Sequence, residues 1–88
     1  MKEFALEIVT PDRQVFAGEV TAVRVPGVSG AFQVLYKHAP LISTLGKGLI
    51  KVEKSDGEVS EYAIEDGVVE VLNNKVIVLV ERLLETTA

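Results

Sequence analysis

The chain reads as a succession of short apolar runs, each closed by turn residues before it reaches the length of a stable helix. Phe4, Leu6 and Ile8 share one parity and Ala5, Glu7 and Val9 the other, the period-two alternation of a strand with its larger apolar row on one face. Thr10-Pro11-Asp12 breaks that run. Gln14-Val15-Phe16 starts another, which Gly18 separates from a strand over Glu19 to Val25. Pro26-Gly27 and Ser29-Gly30 give two turn signals before a strand over Ala31 to Tyr36. Lys37-His38-Ala39-Pro40 then changes direction, and Leu41 to Leu45 forms the next run, bounded by Gly46 and Gly48.

The second half alternates more plainly. Ile50 and Val52 interleave with Lys51 and Glu53, and Ser55-Asp56-Gly57 marks a hairpin turn before Val59 to Ile64. Asp66-Gly67 divides this run from Val68 to Leu72. Asn73-Asn74 tolerates the backbone angles of a tight connection, and Lys75 to Val80 follows as a strongly apolar, β-branched strand. Arg82, Leu83, Leu84 and Glu85 would begin a short helix, but the threonines and alanine after them do not complete an amphipathic one.

Seven or more short strands separated by turns predict an all-β fold, a two-sheet β-sandwich or flattened barrel over residues 1–81 with a short C-terminal tail at 82–88. Facing two sheets would bury the valine and isoleucine rows and limit exposed edges. With 88 residues this is one domain, small enough for partner contacts to matter to its stability. The absence of cysteine excludes disulfides and thiolate metal sites. No apolar run approaches the roughly 20 residues of a membrane-spanning helix, and the opening MKEFALEIVTPD reads as a strand entering the fold, not as a signal peptide.

Candidate chemistry is sparse. His38 has the intrinsic pKa for proton transfer, but Lys37, Ser43 and Thr44 around it form no nucleophile pattern, so a structural or interface role is expected. The acidic residues Asp56, Glu58, Glu65 and Asp66 lie at turns and strand ends, where solvated carboxylates are the ordinary case, and no catalytic residue, cofactor or metal site is expected. The glycines fit neither a P-loop nor a dinucleotide fingerprint. A net charge of −4 and dispersed aromatics argue against nucleic-acid binding.

The ordered features from Phe4 to about Glu81 resemble the N-terminal β-sandwich domain of the F-type ATP synthase epsilon subunit, the counterpart of the mitochondrial delta subunit. The resemblance lies in Thr10-Pro11 leading to Val15-Phe16-Ala17-Gly18-Glu19-Val20, in the Pro26-Gly27 and Gly30 turns, and in His38-Ala39-Pro40-Leu41 followed by Leu45 and Gly48. It continues in Gly67-Val68-Val69-Glu70-Val71 and through Asn74 to Val76 and Val78-Leu79.

The resemblance implies a noncatalytic rotor component of an F1 assembly, not an ATPase active site. Such subunits bind gamma in the central stalk and meet the loops of the membrane-embedded c-ring. This places the chain peripherally on the cytoplasmic side of a bacterial inner membrane, or on the stromal side of a thylakoid. By this analogy Val28, Ser29, Gly30, Ala31 and Phe32, with Lys37, His38, Ala39, Pro40 and Leu41, are candidate interface residues. Ala31 stands where many relatives carry an acidic residue, so a charge-based ring contact is not expected there. Epsilon subunits often continue into a two-helix domain that inhibits ATP hydrolysis and in some members binds ATP; with the sequence ending at Ala88, that regulatory function is expected to be absent. Two other small β-sandwich classes compete. A biotin- or lipoyl-type carrier would need a modifiable hairpin lysine, and Lys75 follows Asn73-Asn74 without the flanking signature. A generic interaction module would bind no gamma.

Overall fold

A computed structural model describes residues 2–84, and the described residues form nine strands. In chain order they are β1 (Phe4–Thr10), β2 (Arg13–Val20), β3 (Ala22–Val25), β4 (Phe32–Val34), β5 (Leu41–Leu45), β6 (Gly48–Glu53), β7 (Val59–Ile64), β8 (Gly67–Leu72) and β9 (Lys75–Val80). They make two facing sheets: sheet A in the order β2-β1-β9-β8-β5, and sheet B in the order β4-β3-β6-β7. The expected β-sandwich is therefore the observed fold.

The alternation seen in the sequence is the inside-outside pattern of these sheets. Phe4, Leu6 and Ile8 of β1, Val69 and Val71 of β8, and Val76, Val78 and Val80 of β9 all point inward and are buried. From sheet B they meet Val23, Val25, Val34, Ile50, Val52 and Ile64. Among the described residues the core holds no buried polar side chain, so its stability comes from apolar burial and close packing.

Two boundaries differ from the sequence reading: the strand expected over Ala31 to Tyr36 is confined to Phe32–Val34, because Leu35 already opens the turn closed by His38, and the early strands divide elsewhere than expected. Gly18 does not interrupt β2 but lies within it, opposite Leu6, while the single run expected over Glu19 to Val25 is divided at Thr21. Val20 pairs with Phe4 in sheet A and Ala22 with Glu53 in sheet B, so the chain crosses between sheets at that residue. Thr21 pins the crossing by donating both its backbone N–H (2.9 Å) and its hydroxyl (3.1 Å) to the Glu53 carbonyl. Gly18 is tolerated in the strand because the Phe16 ring lies beside it and covers the missing side chain.

Three connections fix the rest. Asn73 and Asn74 have φ of 51° and 61°, the left-handed pair required of a two-residue hairpin turn between β8 and β9. The β6–β7 hairpin closes through Gly57, φ 89°, with Glu58 N–H donating to Asp56 Oδ1 at 2.8 Å. After β9 the chain leaves sheet A and reaches the edge of sheet B: Leu83 bridges Ile64, and Leu84 N–H donates to the Ala63 carbonyl at 2.8 Å. Of the expected tail, Arg82 to Leu84 thus run beside β7, and 85–88 lie outside the described residues.

Candidate protein interface

The two segments expected at an interface lie at opposite ends of β5. Val28 N–H donates to the Thr44 carbonyl (3.1 Å), Gly46 N–H donates to the Pro26 carbonyl (2.7 Å), and Gly27 bridges Leu45, so the Pro26–Gly30 turn is clipped to the end of β5. The packing there leaves room only for glycine: a Cβ on Gly27 would lie 2.7 Å from the Gly30 carbonyl oxygen, and one on Gly48 would lie 2.7 Å from Pro26 Cβ. Val28, Ser29, Gly30 and Ala31 are exposed, whereas the Phe32 ring turns inward against Gly27 and the core.

Lys37 to Pro40 leads into the start of β5, about 15 Å away along the strand. His38 N–H donates to the Leu35 carbonyl (3.1 Å), closing a turn with Lys37 at its third position and φ 59°. Asn74 holds this turn to the β8–β9 hairpin, its Oδ1 accepting from Lys37 N–H at 2.7 Å and its Nδ2 donating to the Glu3 carbonyl at 3.1 Å. The half-buried His38 ring places Nδ1 at 2.8 Å from the Ala39 carbonyl oxygen. Ser43 Oγ is directed to the neighbouring Thr44 carbonyl, so no nucleophile-base pair is assembled here. Lys37, Ala39 and Pro40 are exposed; Leu41 packs on the core.

Between these two ends lies a surface that the candidate loops did not include, the outer face of sheet A. Its cross-strand neighbours form the row Val9–Leu79–Val68–Thr44, beside the row Glu7–Ile77–Glu70–Ile42. Ile42 is 73% exposed, Leu79 51%, Leu72 49% and Val68 36%. Val9, Pro11, Val68 and Leu79 line a groove of about 470 Å³ on this face. At its rim Thr10 donates its hydroxyl to Asp12 Oδ1 (2.7 Å), which holds the Asp12 carboxyl below its ordinary pKa. The outer face of sheet B is more polar: its central row reads Gln33–Arg24–Lys51–Glu61 across all four strands, with the exposed Leu49 and Val59 on either side of that row. The sequence signal for this asymmetry is the apolar residues on both parities of β8 and β9, the mark of strands covered on both faces.

The lysine considered for a carrier role lies in β9 beside the hairpin tip, and its Nζ is 3.2 Å from Glu7 Oε2. Among the described residues no cluster of metal-ligating side chains occurs, and no helix is long and apolar enough to cross a membrane.

Comparison with known proteins agrees with the geometry. The chain is 45% identical over 80 residues to the ATP synthase epsilon chain of Chlorobium limicola, covering 91% of each protein. It is 47% identical over 81 residues to that of Sulfurimonas denitrificans, of which it spans 62%. Its fold matches a chain in the Euglena gracilis mitochondrial ATP synthase OSCP/F1/c-ring structure with a TM-score of 0.89 at 21% identity, over 96% of this chain and 54% of that one. A chain in the Tetrahymena thermophila mitochondrial ATP synthase central stalk/c-ring structure matches with a TM-score of 0.79 at 16% identity, over 97% and 69%. The model of the ATP synthase delta/epsilon chain β-sandwich domain covers residues 3–86, and the chain belongs to that family.

Proposed function

We propose that the chain is a noncatalytic central-stalk subunit of a proton-translocating ATP synthase, seated on gamma through the outer face of sheet A, with its two candidate loops contacting the rotor of gamma and c-ring. The observation that carries this reading is the contrast between the two outer faces. Ile42, Val68, Leu72 and Leu79 stand exposed together with the half-buried Ile77 on the adjoining strands of sheet A, whereas on sheet B the exposed Leu49 and Val59 stand apart on either side of a polar row. An apolar cluster interspersed with Glu7 and Glu70 and framed by fixed loops suits a protein contact.

The two candidate loops stand at opposite ends of β5, far enough apart to engage different parts of the rotor. The Pro26–Gly30 clip and the Asn74 hub hold both loops to the sheets, so a torque applied at one is carried by a packed core instead of being lost in loop motion. The complex is membrane-associated, and we place this subunit on its cytoplasmic side in bacteria.

Calorimetric titration of the chain with its cognate gamma subunit tests the reading. Tight one-to-one binding is expected, weakened about tenfold or more by Leu79→Lys or Val68→Lys, because each buries a charge where an apolar side chain sat. Both variants should remain folded, since both side chains point away from the core. Unchanged affinity in both would remove sheet A as the docking face. Failure of the folded parent chain to bind folded gamma would leave the generic interaction module as the better reading.

A further inference from the structure

The loop end beside Asn74 carries a charge arrangement that the fold itself does not use. Lys2 Nζ lies 5.6 Å and Lys37 Nζ 5.5 Å from the centroid of the Tyr36 ring, so two ammonium groups share one exposed aromatic side chain. Among the described residues neither lysine forms an ion pair, so both ammonium groups are available to an external anion. Two like charges held at one ring repel each other, and in a chain of net charge −4 they stand against the overall sign.

Lys37 also occupies a costly position. The third residue of the Leu35–His38 turn has φ 59°, where glycine or asparagine is the usual occupant, and the 2.7 Å bond from Lys37 N–H to Asn74 Oδ1 holds it there. The lysine is thus kept in the left-handed region with its exposed ammonium set over Tyr36.

We infer that Lys2, Tyr36 and Lys37 form a docking site for a carboxylate-rich segment of a partner polypeptide. Carboxylates would relieve the repulsion between the ammonium groups, while the Tyr36 ring and the exposed Leu35 offer apolar contact to the aliphatic parts of the same segment. A bilayer is the poorer match, because anionic lipid is typically read by clusters of about four to eight basic residues. Pro40 joins this end to Ile42 and Leu72 of the sheet A face, so the site continues the surface proposed for gamma. The choice of gamma as partner rests on that proposal; the chemistry of the site does not.

The test has two arms. In the first, an oligoglutamate peptide is titrated into the isotope-labelled chain, with oligoglutamine and vesicles of anionic lipid as controls. Oligoglutamate alone should shift the Tyr36 and Lys37 resonances, and the shift should vanish in Lys2→Ala/Lys37→Gly. Glycine relaxes the strained turn, so this variant should be at least as stable as the parent, which separates loss of binding from loss of fold.

In the second arm, gamma binding is measured at low and physiological salt. The same variant should bind about tenfold more weakly at low salt and show a shallower salt dependence, while Lys2→Arg/Lys37→Arg keeps both. Equal response of parent and variant to gamma overturns gamma as the source of the acidic segment and leaves the docking reading intact. Absence of an oligoglutamate shift, or a shift by vesicles alone, overturns the site itself. If gamma fails to bind the parent chain, the central-stalk reading fails, and the peptide arm still decides this one.

Discussion

Asn74 shows how much of this molecule rests on single side chains at turns. Its φ of 61° serves the β8–β9 hairpin, while its amide reaches two other parts of the chain, Lys37 and Glu3. Glycine would preserve the backbone angle and remove both amide bonds, so Asn74→Gly isolates their contribution. A loss of about 1–2 kcal/mol is expected in chemical denaturation, together with broadening or shifting of the Lys37 amide resonance. Full retention of stability would mean that the amide bonds merely replace bonds to water. The Asn-Asn turn was legible in the sequence because both residues tolerate the left-handed region; the reach of one of them to Lys37 was not, because nothing local encodes a partner 37 residues away.

At the scale of elements, Gly67 marks a point of β8 where β9 leaves no room for a side chain. A Cβ there would lie 2.6 Å from the Leu79 carbonyl oxygen and 2.9 Å from Val80 Cγ1, and the first of these is backbone that cannot swing aside. Gly67→Ala is expected to destabilise the fold by about 1–3 kcal/mol and to disturb the groove that Gly67, Val68 and Leu79 share, which thermal melts and β9 amide shifts would report. A variant as stable as the parent would show that β8 can move outward at little cost.

Most strands were evident from alternation and turn chemistry alone. One exception, at Thr21, follows from what alternation can express. Ala22 and Val23 are both buried, so the inside-outside parity slips where the chain changes sheet, and a run of small and β-branched residues gives no sign of the slip. The loops of the candidate interface were identified through resemblance. The apolar face between them was present in Val68, Leu72, Ile77 and Leu79, but it became a surface only once pairing had placed those residues side by side.

For the whole molecule, the core is one unit shared by both sheets. Leu6 is fully buried in β1, between β2 and β9, and faces the residues of sheet B. Leu6→Ala should cost about 2–5 kcal/mol, and the loss should appear in both sheets in a single transition, as read by amide exchange in β6 as well as β9. Separate transitions for the two sheets would contradict a common core. This cooperativity is the property that would let the domain transmit force as one body, because no sheet can yield while the other holds.

The parallel pairing of β1 with β9 also sets an order in time. During synthesis β1 emerges early and finds β2 at once through a short turn, but its second neighbour follows much later: the contact between Glu3 and Asn74 joins residues 71 apart. Until β9 has left the ribosome, β1 presents an unpaired edge in the middle of what will become sheet A. Sheet B can pair before then, but the centre of sheet A closes only with β9, so the outer face that would seat a partner is incomplete until β9 joins it.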